Sequence, residues 1–359
     1  VKTPDGEARI PEFHIPVPYE CNPLLEQASC AMWEWLDHYD LMATERARQR
    51  TRQSLPDLSA AITWTRAGTD LLSLYACWLG WAFRVDDQLD EDDRFQRLQA
   101  REAAIADFCA ILHGGQPAVP SALTDALKDL CARTSRLGPK PWHAMFVHHI
   151  EQFFHTYVQE ARLDRLGRTP NLRQHVDRRV YSVGMLWMWD LGEATLTRFL
   201  PDTIRNNDAL FRLRRAAALQ IAFVNDVFGA VRDDFTGYQH NAVGLLRARD
   251  GLSYQEAFDA VGAMADDQMA VFLREHALFE DDLTRNGPPG HTREAVLQHL
   301  QQITVSIRGQ HAWHATVATQ RYALDDLLNA SPDELGSYPD DLLTHYKNRQ
   351  QPNPAPYRA

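Results

Sequence analysis

Apolar side chains in this chain recur at helical spacing, and almost nowhere at the alternating spacing of a strand. Leu24, Leu25, Ala28, Ala31 and Met32 form one stripe, and Leu71, Leu72, Tyr75, Trp78, Leu79, Ala82 and Phe83 form a broader one. Residues three and four apart share one face of a helix, so such stripes bury against neighbours as a bundle. Further helical stretches read over roughly 94–113, 119–135, 140–166, 171–199, 204–232, 253–285 and 291–328. Alternating β-branched runs joined by Asn-Gly or Asp-Gly turns are lacking. The breaks are Gly114-Gly115, Gly138-Pro139, Thr169-Pro170, Pro201 and Gly287-Pro288-Pro289-Gly290. Few exceed about six residues, which suits packed helices. There is no solenoid repeat and no compositional linker, so the reading is one all-α domain over 21–348. An extended arm, 1–20, carries His14, Pro16 and Pro18, and the proline-bearing tail 349–359 reads as poorly ordered.

The chain of 359 residues is 45% apolar and 24% charged, which is globular and enough for one large domain. Its net charge of −11 argues against non-specific nucleic-acid binding and requires any anionic substrate to meet a locally basic or metal-loaded site. Cys21, Cys30, Cys77, Cys109 and Cys131 are odd in number and widely spaced, and read as reduced side chains of a cytoplasmic protein. The start, VKTPDGEARIPEF, has no signal-peptide core. The most apolar stretch, roughly 71–83, is too short for a transmembrane segment.

Two acidic segments carry ligand-type chemistry. In DDQLD, Asp86 and Asp90 lie one helical turn apart and Asp87 lies beside that stripe. Three carboxylates so close repel one another, and a core helix tolerates them only beside a cation or where it reaches water. Such an oxygen-rich set suits Mg²⁺, which also keeps waters and substrate phosphates as ligands. A solvated acidic helix end is the other reading. In FVNDVFGAVRDD, Asn225, Gly229 and Asp233 stand at i, i+4 and i+8, with Asp226 at the border. An amide oxygen and a carboxylate two turns apart can hold a cation between them, with water in the space Gly229 leaves. A capping role for Asn225-Asp226 near Gly229 is the alternative.

DDQLD followed 139 positions on by NDVFGAVRD, in an all-α chain, resembles the paired metal motifs of the bacterial class I terpene synthases, DDxxD and NDxxSxxxE. Arg179 in RRVYSVG lies 46 residues before Asn225, where that family carries its diphosphate-sensing arginine. Arg321-Tyr322 in TQRYAL is similar to its Arg-Tyr pair, and Trp313, eight residues earlier on the same helical face, to its active-site aromatic. FHIPVPYECNPLLEQA resembles its opening arm, and the likeness covers roughly 13–325. The departures are Gly229 for the family's Ser, Asp233 for its terminal Glu, and Leu89 where many relatives have Phe. Ser182 and Val183 stand at the positions the family uses as linker and effector.

The resemblance implies a single-domain class I terpenoid synthase bundle enclosing a central active-site cavity. It implies Mg²⁺-dependent ionisation and cyclisation of an isoprenyl diphosphate, with farnesyl diphosphate favoured over geranylgeranyl diphosphate, and it allows a homodimer. Asp86, Asp87, Asp90, Asn225, Asp233 and, through water, Gly229 would hold metal, with three ions when substrate is bound. Arg179, Arg232 and Arg321 would hold the diphosphate, with Tyr322 donating a hydrogen bond. The bland reading of each arginine is a surface salt-bridge partner. A carbocation needs a dry pocket with aromatic faces. Phe83 and Trp313 are the first candidates; Trp187, Phe153, Phe154 and Tyr157 follow, each with ordinary core packing as its alternative. A helix break at Gly184 would free the Val183 carbonyl to face the cation, against tight helix packing as the plainer reading.

Rival functions fit less of the sequence. A chain-elongating prenyltransferase would carry a second DDxxD and more lysines. The DxDD match at Asp90-Glu91-Asp92-Asp93, which a protonation-initiated cyclase needs, overlaps DDQLD and reads as chance. HHIEQFFH is not HExxH and reads as a half-exposed helix face, not zinc. A non-catalytic helical scaffold or prenyl-ligand-binding protein is separated from a synthase by Mg²⁺-dependent diphosphate release.

Overall fold

The computed structural model describes residues 1–90, 98–288 and 290–322 and positions 342, 343 and 346, with Asp90 described by its backbone only. The remainder of the acidic string at 90–93 and the tail 349–359 lie outside the described residues. The chain opens on a small antiparallel hairpin, β1 (Lys2–Thr3) and β2 (Gly6–Glu7), where the sequence reads as a plain extended arm. Helices follow: α1 (Leu25–His38), α2 (Glu45–Ser54), α3 (Pro56–Thr63), α4 (Thr69–Asp90), α5 (Leu98–Leu112), α6 (Ala122–Thr134) and α7 (Lys140–Arg165). Then come α8 (Leu172–Ser182), α9 (Met185–Gly192), a 3-10 turn at Glu193–Thr195, α10 (Asp202–Arg205), α11 (Asp208–Thr236), α12 (Ala242–Asp250), α13 (Tyr254–Asn286) and α14 (His291–Val317).

Local chemistry fixes many of these ends. Asn171 with Gln174, and Ser253 with Glu256, close capping boxes that start α8 and α13. Asn207 caps α11, and Gly237 ends it in the left-handed region at φ 71°. α11 is buried on nearly every face from Ala216 to Val224, which makes it the central helix. α13 packs along it, while α14 crosses α3 closely enough that a Cβ on Gly309 would lie 2.8 Å from the Ile62 carbonyl. Phe13 of the arm lies on Phe228 and His311, with ring centroids 6.3 and 5.5 Å away.

The bundle is all-α, and several helix limits differ from the periodicity. The stretch 171–199 is divided at Gly184, and the helix read from 204 begins at Asp208 and runs on to Thr236. α14 ends at Val317, so Arg321 and Tyr322 lie in a following turn and not on the helical face of Trp313. In HHIEQFFH, His149 is buried against Asp190 at 2.5 Å, while His148 and His155 are exposed, so the segment is not simply a half-exposed face. All five cysteines are free, and among the described residues no helix is long and apolar enough to cross a membrane.

Candidate active site

A cavity of about 220 Å³ opens between α4, α7, the α8–α9 junction, α11 and the end of α14. It gathers Phe83, Asp86, Asp87, Arg179, Val183, Asn225, Gly229, Arg232, Asp233, Trp313, Arg321 and Tyr322. These twelve positions thus meet although they are spread over the chain; the Asp90 side chain lies outside the described residues.

On the α4 wall the two neighbouring aspartates have different surroundings. Asp86 keeps 30% of its side-chain surface, accepts from the Tyr157 hydroxyl at 2.6 Å, and meets Arg321 Nη2 at 3.2 Å. Asp87 keeps 1% and is approached by Arg321 at 3.1 Å, Arg50 at 3.5 Å and Arg84 at 3.6 Å. Burial holds the Asp86 carboxyl above its ordinary value, against the pull of Arg321 and Tyr157. Burial also pushes Asp87 up, but Arg321, Arg50, Arg84 and Arg232 outweigh it and hold that carboxyl below its ordinary value. Arg321 further donates to Ser54 and lies 5.3 Å over the Phe83 ring.

On the α11 wall, Arg179 Nη2 donates to Asn225 Oδ1 and to Asp226 Oδ1, both at 2.6 Å. Burial opposes the Arg179 charge, yet Asp226 outweighs it and keeps the guanidinium firmly protonated. Asp226 is 1% exposed and also accepts from His175 at 2.9 Å and the Ala242 amide at 3.0 Å. It is therefore the anchor of Arg179. One turn further on, Gly229 leaves room: a Cβ there would sit 3.3 Å from Asp233 Oδ2. Asn241 donates to that same Oδ2 at 2.8 Å, and burial raises the Asp233 carboxyl to about 7. Asn225 Nδ2 donates to His314 Nε2 at 3.1 Å and to the Tyr322 hydroxyl at 3.2 Å. Burial pushes the Tyr322 phenol up to about 12, so it keeps its proton.

The floor is set by the helix break. α8 stops at Ser182, Gly184 takes φ 79°, and among the described residues no backbone amide donates to the Val183 carbonyl. Phe83 and Trp313 stack at 5.5 Å with planes 8° apart, and Trp313 Nε1 donates to the Ser54 and Leu55 carbonyls at 3.0 and 3.1 Å. Phe153, Tyr157 and Trp187 line the cavity. Phe154 does not: it packs in the core on Trp81 and Phe108, at 5.8 and 5.6 Å.

Sequence reasoning missed Arg50, His314, Asn241 and the hydroxyl role of Tyr157, and placed Asp226 only at a border. Arg50 lies in ERARQRTRQS, whose charge hides any apolar stripe. His314 directly follows Trp313, which is the one signal that it shares the site.

The donor chemistry is a fit for a hard divalent cation. Asp86, Asn225 and Asp233 offer carboxylate and amide oxygens, and burial raises the Asp233 carboxyl in spite of Arg179 and Arg232. Among the described residues no three His, Cys, Asp or Glu side chains converge on one point. The protein thus supplies part of a coordination shell, which suits an ion that keeps waters and phosphate oxygens.

Residues 77–270 match the family described as terpene synthase family 2, C-terminal metal binding. The chain is 43% identical over 326 residues to (2Z,6E)-hedycaryol synthase of Kitasatospora setae, covering 91% of this chain and 96% of that one. It is 30% identical over 253 residues to (+)-T-muurolol synthase ((2E,6E)-farnesyl diphosphate cyclizing) of Roseiflexus castenholzii, covering 70% and 76%. Among solved structures, hedycaryol synthase in complex with HEPES is similar with TM-score 0.79 and 41% identity, covering 87% of this chain and 100% of that one.

Proposed function

Since the chain belongs to the bacterial class I terpene synthases, we propose that it ionises and cyclises farnesyl diphosphate with Mg²⁺ as cofactor. The observation that carries this reading is the meeting of both acidic walls, Arg179 and the Arg321-Tyr322 pair around one aromatic-floored cavity. The choice of a farnesyl substrate is supported by the name of the Roseiflexus relative. Mg²⁺ ions, three with substrate bound and held by Asp86, Asn225, Asp233 and water at Gly229, would act as Lewis acids on the diphosphate oxygens.

The chain's own residues do the rest. Arg321 and Arg179 are each paired with carboxylates now, at 3.2 and 2.6 Å, and turn to the diphosphate as it arrives. Guanidinium forks match phosphate oxygens. Arg232 adds charge from the same wall, and Tyr322 keeps a proton to donate. The allylic C–O bond breaks with its electron pair leaving on the diphosphate. The cation left behind faces Phe83, whose ring already carries the Arg321 guanidinium at 5.3 Å, and Trp313 stacked behind it. The Val183 carbonyl points a fixed dipole from the break. Asp87 enters this reading as the counter-charge of Arg50, Arg84 and Arg321 more than as a metal ligand. We assign residues 21–348 to the catalytic domain, covered by the arm 1–20, in a cytoplasmic enzyme that light scattering would test for a homodimer.

The test is incubation with geranyl, farnesyl and geranylgeranyl diphosphates, with and without Mg²⁺, with products read by gas chromatography–mass spectrometry. A cyclic product from farnesyl diphosphate, lost in EDTA and in Asp86→Ala, is expected. Turnover of geranylgeranyl diphosphate alone would overturn the substrate. No diphosphate release by folded protein would move the reading to prenyl-ligand binding.

A further inference from the structure

Only one half of the Asn225 side chain can serve a cation. Turned over about its last bond, the amide offers NH₂ where its oxygen stood, and NH₂ cannot be a ligand. The surroundings therefore have to choose. Arg179 Nη2 lies 2.6 Å from Asn225 Oδ1, and a guanidinium only donates, so it selects the oxygen. The Tyr322 hydroxyl, 3.2 Å from Nδ2, can donate or accept and is indifferent.

His314 is not indifferent. Its Nδ1 lies 2.7 Å from the Gln310 carbonyl, which only accepts, so Nδ1 carries the ring proton. Nε2 is left with a lone pair, facing Asn225 Nδ2 at 3.1 Å. The ring is 3% exposed and lies stacked between Phe228 and Tyr322, with centroids 6.1 and 6.4 Å away. Gln310 is itself held, donating to Ser59 at 3.1 Å and Thr63 at 2.8 Å on α3. A flipped Asn225 would set oxygen lone pairs against the Nε2 lone pair.

We propose that His314 is a positioning residue: its Nδ1–H tautomer keeps the Asn225 amide oxygen turned toward the metal. This rests on Asn225 being a metal ligand, as proposed above. Arg179 enforces the same orientation only while it stays on Asn225. Once Arg179 turns to the diphosphate, His314 is, among the described residues, what discriminates between the two amide orientations.

The test titrates Mg²⁺ into the full chain with inorganic diphosphate and reads the Mg²⁺ midpoint for thermal stabilisation. His314→Phe keeps a ring beside Tyr322 and Phe228 but removes the acceptor. It is expected to raise the midpoint roughly fivefold or more, the worth of one buried hydrogen bond. His314→Gln restores an acceptor and is expected to fall within about twofold of the parent. Asp at 225 has two equivalent oxygens, so in an Asn225→Asp background His314→Phe should add nothing. An unchanged midpoint in folded His314→Phe, or an equal shift in the Asn225→Asp background, overturns the proposal. Should Phe prevent folding, His314→Leu reads the same loss. Asn225→Ala tests the premise separately: an unchanged midpoint there removes Asn225 from the metal site, and the His314 role with it. A raised midpoint in Asn225→Ala with none in His314→Phe overturns the positioning role alone.

Discussion

Asp86 and Asp87 are adjacent in sequence and opposite in duty. Asp86 keeps 30% of its side-chain surface and shares it with the cavity, whereas Asp87 keeps 1% and faces three guanidinium groups within 3.6 Å. Removing the charge of Asp87 takes a buried carboxylate from Arg84, which is fully buried, and from Arg50, which is 7% exposed. Breaking a buried ion pair from one side costs about 3–5 kcal/mol. Asp87→Asn is therefore expected to lower the unfolding free energy by that amount, read by urea titration. Asp86→Asn keeps an oxygen for the Tyr157 hydroxyl and should stay within about 1 kcal/mol of the parent. Its loss should instead appear in Mg²⁺-dependent turnover. Equal stabilities for the two variants would contradict the division of roles. A sequence pattern cannot separate the two aspartates, because Arg321 meets both, and what divides them is burial together with Arg50 from α2, distant in the chain.

The element that most shapes the cavity floor is the junction of α8 and α9. Gly184 sits there at φ 79°, a region that costs an L-residue about 1–2 kcal/mol. A Cβ would also lie 3.1 Å from Trp187 Nε1. Gly184→Ala is expected to stay folded with a lower melting temperature, and to change the product ratio because Val183 and Trp187 shift together. An unaltered product profile at lower stability would confine Gly184 to folding. A break at Gly184 was one of two readings of the sequence, beside tight helix packing, because helical periodicity runs from Val176 and Val180 of α8 into the wholly buried α9. Other elements hid for stated reasons. α2 buries Arg50, Thr51 and Ser54 in place of an apolar stripe, so no pattern marks it. α12 is nine residues long and lies between the two long helices α11 and α13, so 204–232 and 253–285 were seen without it. The stripe Asn225, Gly229, Asp233 was readable because α11 carries it uninterrupted. The partners of Asp226 were not, because His175 and Ala242 come from α8 and α12.

Across the whole molecule, a chain of net charge −11 lines one cavity with the buried Arg50, Arg179, Arg232 and Arg321 and keeps several histidines neutral inside the bundle. That distribution makes stability depend on pH. His299 on α14 is 2% exposed, its Nδ1 has no hydrogen-bond partner, and burial, aided by Arg214, depresses its pKa to about 3. An unfolded histidine titrates near about 6.5. As pH falls below that value the unfolded chain takes the proton first, so the contribution of His299 to stability is intact above it and is lost toward pH 3. Asp233 runs the other way. Its carboxyl, raised to about 7, holds a proton in the folded state that the unfolded chain has released, so its contribution grows as pH falls. The net acid limb is a sum of such opposed groups, and a single substitution isolates one of them. His299→Leu removes the buried imidazole and should gain on the parent by about 1.4 kcal/mol for each pH unit below 6.5. Urea unfolding of both proteins at pH 7.5, 6 and 5 reads this directly. A difference between the two that stays constant with pH would mean that His299 is not the neutral, poorly solvated group its surroundings make it.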